Sequence, residues 1–168
     1  INPKDQKLSE LEINAVTEID VYGKGISNLK GIEHFTAITL LNCSKNKLAS
    51  LDVSKNTMLN ELHCDSSTLI SLDVSGCTAL ETLRCGNNQL TGLDVSSCTA
   101  LISLECSNNQ LTVLDVSSNT ALTSLTCNNN QLTVLDISKN IALKGLYCHN
   151  NQLKGLDVRN NTELASLR

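Results

Sequence analysis

Six cysteines recur at intervals of 21 residues, and thiols in such a column could bind a metal ion or form disulfides. They are Cys43, Cys64, Cys85, Cys106, Cys127 and Cys148. A zinc site needs ligands that converge on a tetrahedron, which a straight column does not provide. Stacked parallel strands also hold their Cβ vectors parallel and about 4.8 Å apart, a poor match to the disulfide dihedral. We therefore predict buried free thiols that act as small apolar side chains, with no metal and no cofactor.

The other two cysteines, Cys77 and Cys98, lie in a second column with the same period, whose remaining members are asparagines. Those asparagines are Asn56, Asn119, Asn140 and Asn161. The spacing predicts two buried thiols within a polar column. It leaves open a disulfide between the two adjacent turns.

Aspartates also recur once per period, and a column of carboxylates could bind calcium. They are Asp52, Asp73, Asp94, Asp115, Asp136 and Asp157. The glycine-rich nonapeptides of calcium-binding β-rolls are missing around them. Aspartate also caps local turns by accepting hydrogen bonds from nearby backbone N–H groups. This structural role is our prediction for the column.

A catalytic arrangement is conceivable at His63 and Asp65, which lie on one predicted strand and could act as a base and its orienting group. Arg84 belongs to the next turn of the chain. This set has no nucleophile or metal partner, and a flat sheet offers no pocket that excludes water. We therefore predict a protein that is not an enzyme.

The elements that position these columns follow from the period itself. The motif L-x-x-L-x-C-x-x-N-x-L recurs from residue 38 to the end of the chain, and a period of 20–29 residues with this motif is typical of a leucine-rich repeat solenoid. We expect an α/β solenoid, a right-handed coil with a parallel concave β-sheet, a mostly irregular convex side and little helix. Leu-x-Cys segments such as Leu41–Cys43 form the predicted strands. Residues 16–168 then hold about seven turns and a partial eighth.

Residues 1–15 are predicted to form an N-terminal cap with a short helix. Ser9 and Glu12 have the spacing of a capping box, in which each side chain bonds the backbone of the other residue. Residues 1–12 also match part of a calcium loop. That alternative is disfavoured because Ile1, Pro3 and Gln6 stand where a calcium loop needs oxygen ligands and a turn glycine.

A further ladder follows the cysteines, since an amide side chain stands three residues after each of them in all turns but one. Its members are Asn46, Asn88, Asn109, Asn130 and Asn151, with Ser67 as the exception. We predict that these amides bond backbone groups of the bend and of the neighbouring turn. The turn that contains Ser67 is then expected to be locally weaker.

Composition excludes several functions. The 168-residue chain has a net charge of −4 and no clustered basic face, so nucleic acid is not an expected partner. No apolar stretch reaches the length of about 18 residues that a membrane span needs, so we expect no membrane insertion by this chain. We find no signal peptide in the sequence, which begins with INPKDQK.

The variable positions of the strands make up the predicted concave surface, which is mostly small and polar. The candidate ligand-binding residues on it are Tyr22, His63, Arg84, Glu105, Tyr147 and His149. Tyrosine and arginine are enriched among the residues that dominate binding energy in protein interfaces. At the C-terminal end, segment 164–168 exposes apolar side chains and a strand edge, which predicts end-to-end self-association through the C-terminal turn.

The repeat over residues 38–167 resembles the cysteine-bearing 21-residue repeats of internalin J-like bacterial surface proteins. It is also similar to leucine-rich repeat proteins of gut Bacteroidetes and Firmicutes, and the segment ISNLKGIEHF resembles the 22-residue turns of the wider internalin family. The resemblance implies a secreted or surface-exposed bacterial protein that binds a protein or glycan. The alternative is a structural spacer, with binding carried by another domain.

Overall fold

The computed structural model describes residues 8–168. Helix α1, Glu10–Asn14, begins after the N-cap Ser9. Glu12 N donates to Ser9 Oγ at 3.3 Å, and Ser9 N donates to Glu12 Oε2 at 2.9 Å, so the predicted capping box is confirmed. The helix buries none of its residues. The calcium alternative rests on residues 1–7 and so lies outside the described residues, and the boundary between cap and repeats at residue 15 stays a prediction.

Ten short strands follow the helix. They are β1 Glu18–Asp20, β2 Leu40–Asn42, β3 Ser50–Asp52, β4 Glu61–His63, β5 Ser71–Asp73, β6 Thr82–Arg84, β7 Ser103–Glu105, β8 Ser124–Thr126, β9 Gly145–Tyr147 and β10 Ser166–Leu167. Eight of them form one parallel sheet in the order β1-β2-β4-β6-β7-β8-β9-β10. Equivalent residues of successive turns pair in register, as in Leu41 with Leu62. The predicted solenoid with a parallel sheet is confirmed.

The strands begin and end one residue earlier than the Leu-x-Cys segments predict. The hydrogen-bond ladder nevertheless continues through the cysteine, because Cys43 N donates to His63 O at 2.8 Å. Leu41 and Cys43 are both fully buried, which confirms that the two side chains share the inner face of the sheet.

The convex side is mostly irregular, as predicted, but it contains two strands that the sequence analysis did not anticipate. β3 and β5 form a separate parallel pair, joined in register through Leu51 and Leu72. A 3₁₀ helix, Ile32–His34, occupies the convex side of the first turn. The apolar residues Leu29, Ile32 and Phe35 are spaced three apart there, which explains this helix, since side chains three residues apart in a 3₁₀ helix lie on one face.

The interior consists of vertical columns of identical side chains. All eight cysteines are buried and free, so the disulfide between Cys77 and Cys98 is not formed. The predicted amide ladder is confirmed at Asn88, whose Nδ2 donates to Cys64 O and Cys85 O at 3.0 Å while its Oδ1 accepts from Leu69 N at 3.0 Å. Because one side chain bonds two turns, each asparagine of this column ties its own turn to the preceding one, and Ser67 is the exception.

The second asparagine column makes donor bonds only. Asn119 Nδ2 donates to Val95 O at 2.9 Å and to Cys98 O at 2.8 Å, whereas its buried Oδ1 has no hydrogen-bond partner in the described part of the chain. Where cysteine replaces asparagine, the bonds are weaker: Cys77 Sγ lies 3.3 Å from Val53 O. Compared with asparagine, a cysteine in this column forms weaker hydrogen bonds, but it also leaves no side-chain carbonyl oxygen without a partner. These two effects oppose each other, which explains why both residue types are accommodated in the column.

Candidate binding surface

The outward-facing side chains of the eight-stranded sheet form the concave face. His63, Arg84 and Glu105 are direct neighbours on it, because β4, β6 and β7 pair in register at these residues. Tyr147 belongs to the same column, separated from Glu105 by Thr126. Tyr22 and His149 follow β1 and β9. The structure therefore brings together His63, Arg84 and Glu105, and it leaves Tyr22 at the opposite end of the sheet from Tyr147.

The two tyrosines each have a cation beside the ring. The Lys45 ammonium lies 5.3 Å from the centroid of Tyr22, and a hydrogen bond to Tyr22 raises the pKa of this lysine. The Arg168 guanidinium lies 5.9 Å from the centroid of Tyr147, and Ser166 Oγ donates to Tyr147 Oη at 3.1 Å. These contacts restrict the ring orientations, so both tyrosines present pre-positioned aromatic surface.

His63 and Asp65 do not form the pair that a general base would need. His63 Nε2 lies 3.6 Å from Glu61 Oε2 on the same strand and has no hydrogen-bond partner among the described residues. The Asp65 carboxylate accepts from Ser44 Oγ at 2.9 Å and from Ser66 Oγ at 3.3 Å. Both of its oxygens are thus engaged by serines, and this carboxylate does not orient the imidazole.

Glu105 and Arg84 stand opposite each other in the sheet register but form no ion pair. Ser107 N donates to Glu105 Oε1 at 3.1 Å, and Ser107 Oγ donates to the same oxygen. The carboxylate lies over Gly86, where a Cβ atom would overlap both of its oxygens. Arg84 is exposed, and its guanidinium forms no ion pair or hydrogen bond with any residue in the range 8–168.

The aspartate column has the structural role predicted for it. In each turn the carboxylate accepts from the backbone N–H two residues later, as in the 2.9 Å bond from Ser96 N to Asp94 Oδ1. Hydrogen bonds from Ser96 lower the pKa of Asp94. Within residues 8–168, no three histidine, cysteine or carboxylate side chains are grouped so that they could hold a metal ion.

The buried cysteines have low reactivity at neutral pH. Burial raises the pKa of Cys43 and Cys127 to about 12, and it raises that of Cys85 well above the ordinary range. Because the thiolate is the reactive form, these side chains act as packing groups at neutral pH.

Sequence analysis missed Ser107, Gly86 and Lys45, each of which shapes the surroundings of a candidate residue. One signal in the sequence could have identified Ser107 as a donor to Glu105. At several positions along the sheet, a polar side chain accepts a hydrogen bond from the backbone N–H two residues later. Tyr22 N donates in this way to Asp20 Oδ1 at 2.9 Å, and Ser44 N to Asn42 Oδ1 at 3.3 Å. No signal in the repeat pattern indicates that Gly86 lies beneath the Glu105 carboxylate.

These features define the class of the protein, a leucine-rich repeat solenoid with a cysteine ladder. The chain is similar to Internalin J of Listeria monocytogenes, with 41% identity over 50 residues that cover 30% of this chain and 6% of that protein. It is also similar to the solved functional domain of InlJ from Listeria monocytogenes, which includes a cysteine ladder. That match has a TM-score of 0.73 and 37% identity, and it covers 95% of this chain and 40% of that one.

Two other solved structures share the fold. A leucine-rich repeat protein of Leptospira interrogans matches with a TM-score of 0.83 and 20% identity over 94% of this chain and 43% of its own. Internalin C2 of Listeria monocytogenes matches with a TM-score of 0.72 and 19% identity over 95% of this chain and 84% of its own. No protein-family model matches the chain. None of the helices in the described part of the chain is long and apolar enough to cross a membrane.

Proposed function

We propose that this chain is a binding module that recognises a protein partner through its concave face, outside a bacterial cell. One observation carries the proposal. The outward column changes chemistry in every turn, from His63 through Arg84 and Glu105 to Tyr147, whereas the inward leucine and cysteine stay the same. Stacking requires a constant interior only, so the variable column is free to match the surface of a partner.

The shape of the face supports an extended interface. Eight in-register strands present a continuous surface, and its aromatic anchors Tyr22 and Tyr147 lie toward opposite ends with Arg84 between them. Tyrosine and arginine are enriched among interface residues whose truncation costs the most binding energy. His149 is exposed beside Tyr147 and extends the candidate contact area.

The proposed location rests on similarity. The chain resembles internalin J-like bacterial surface proteins, and it spans 40% of the solved InlJ domain. The partner and the location of the whole protein are therefore part of the proposal. A glycan ligand and a purely structural spacer are the competing outcomes.

An array of extracellular proteins and glycans, probed with the chain, tests the proposal. The concave variant combines Tyr22→Ala, Arg84→Ala and Tyr147→Ala, and the matched convex variant combines Val113→Ser and Val134→Ser, two side chains that are 70% and 71% exposed. We expect binding to a protein that the concave variant loses and the convex variant keeps. Binding to glycans alone would overturn the protein partner, and loss only in the convex variant would overturn the concave face.

Association of copies through residues 164–168 also stays a prediction. Leu167 of β10 is 50% exposed. Light scattering over a range of concentrations would show a mass that rises with concentration if copies associate there.

A further inference from the structure

We infer that Arg84 is the specificity-determining residue of the concave face, and that it binds a single carboxylate on the surface of a partner protein. This inference rests on the proposed function, which it deepens by naming the chemistry that the face selects. Its support is a difference between the charged groups of the concave face: some carboxylates accept hydrogen bonds from within the chain, whereas the Arg84 guanidinium has no such bond to residues 8–168.

Two of the three carboxylates around Arg84 are engaged by donors of their own, and the third, Glu61, lies 3.6 Å from His63 Nε2. Asp65 accepts from the hydroxyls of Ser44 and Ser66, and Glu105 accepts from the backbone and hydroxyl of Ser107. A cross-strand arginine–glutamate pair would normally form at these positions, since opposite charges directly across a sheet attract. Ser107 prevents it by holding the carboxylate over Gly86. The exposed donor group of this region that lacks a partner within residues 8–168 is therefore the Arg84 guanidinium; His63 Nε2 also lacks one, but this atom is buried.

The surroundings of Arg84 permit close approach. Thr82 and Ser103 are small side chains on the same face. β6 is the fourth of eight strands in the sheet, so Arg84 stands near the centre of the face, where dominant interface residues are usually found. A guanidinium with free N–H groups matches a carboxylate by two parallel hydrogen bonds.

The same surroundings restrict the partner to an isolated carboxylate. Glu61, Asp65 and Glu105 carry negative charge within neighbouring turns, and a run of acidic residues on the partner would be repelled by them. A single aspartate or glutamate among neutral residues gains the guanidinium bonds with little of this repulsion. The face therefore selects against polyanions as well as for a carboxylate.

Side-chain NMR of the whole chain tests this inference directly. The probes are the peptide Gly-Ser-Thr-Glu-Thr-Ser-Gly and its matched glutamine version, and the readout is the arginine Nε–Hε signal that disappears in Arg84→Lys. We expect the glutamate peptide to shift this signal with about tenfold higher affinity than the glutamine peptide, at constant ionic strength. The Arg159 signal serves as an internal control, since its Nη2 already lies 2.6 Å from Asp157 Oδ2.

Two variants test the role of Ser107 and keep the inference falsifiable. Ser107→Ala removes the hydroxyl donor and leaves the backbone N–H alone on Glu105, so the carboxylate pairs more readily with Arg84, and we expect this variant to weaken glutamate-peptide binding severalfold. Glu105→Gln removes the competing charge, and we expect binding at least as tight as in the unmodified chain. Backbone amide spectra verify the fold of each variant.

Equal shifts with both peptides, or unchanged binding in Ser107→Ala, would overturn the inference. Its failure is distinguishable from failure of the proposed function. If the peptides do not discriminate but the array shows a partner that Tyr22→Ala or Tyr147→Ala weakens, the concave face binds without a role for Arg84. If the array shows no dependence on the concave face, the proposed function is wrong whatever the peptides show.

Discussion

Gly76 lies directly against the carbonyl oxygen of Ser54 in the preceding turn. A Cβ atom at residue 76 would overlap this oxygen and approach the carbonyl carbon of the same residue. The atoms that this Cβ would overlap belong to the backbone of Ser54, so no side-chain rotation can relieve the overlap. The absence of a side chain at residue 76 therefore sets how closely two turns stack on the convex side.

Gly76→Ala is expected to destabilise the solenoid by about 1–3 kcal/mol, the usual cost of inserting a methyl group into a packed region. Urea unfolding monitored by circular dichroism measures the change in midpoint. Gly92→Ala is the matched control, because a Cβ atom there meets nothing within 4 Å. We expect no loss of stability in the control; equal effects at the two glycines would contradict the stacking argument.

Ser67→Asn is expected to stabilise the chain by about 1 kcal/mol, the net worth of a typical hydrogen bond. Ser67 interrupts the amide ladder, and its buried Oγ has no hydrogen-bond partner within residues 8–168. An asparagine there would donate to the carbonyls of Cys43 and Cys64, as Asn88 does to the equivalent groups one turn later. Urea unfolding under matched conditions provides the measurement.

The converse substitution Asn88→Ser provides the control for this prediction. It would leave the Leu69 N–H without its 3.0 Å acceptor, at a cost of about 2 kcal/mol. If both substitutions shift the midpoint in the same direction, the ladder does not stabilise the stacked turns in the way described.

Stability is expected to fall as the pH rises from about 9 to about 12. Burial raises the pKa of Cys43, Cys77 and Cys127 from 9.0 to about 12. Below pH 9 these thiols are protonated in both states and the full stability is present. Above it the unfolded chain loses protons that the folded chain keeps, so each thiol lowers the free energy of unfolding by about 1.4 kcal/mol per pH unit.

Urea midpoints measured under reducing conditions across this pH range test the thiol effect. Other groups titrate in the same window, so Cys85→Ala isolates the contribution of one thiol. The variant has a lower stability at pH 8 because of the cavity, but its stability should decline less steeply with pH. Parallel declines in the two proteins would show that the thiols do not cause the loss.

Asn87→Ala is expected to cost about 1 kcal/mol, whereas Asn87→Gly should cost much less. Asn87 has a φ of 54°, in the left-handed region, and the equivalent residue adopts the same conformation in every regular turn. Asparagine and glycine adopt this region at lower cost than alanine does. Thermal unfolding of the two variants, compared with the unmodified chain, measures the difference; a larger loss for glycine would show that the side chain matters more than the backbone.

The interior of this protein was predictable from the sequence because residues one period apart stack directly above one another. The spacing of Cys43, Cys64 and Cys85 was sufficient to place their thiols in one buried column. The same argument identified the amide ladder and the turn-capping role of Asp94. In each case, counting residues along the period shows which side chains belong to one column. Stacking of the turns then determines whether that column is buried.

Only the tertiary structure decided which side chains of the surface pair with one another. Register places Glu105 opposite Arg84, but competition from the nearby Ser107 donors draws the carboxylate away. The close approach of Gly76 to Ser54 and the pairing of β3 with β5 likewise depend on the local path of the convex side, which the repeat does not specify. A period determines which residues are neighbours. The conformations that these neighbours adopt depend on distances in three dimensions, and these conformations leave the Arg84 guanidinium without a partner among residues 8–168.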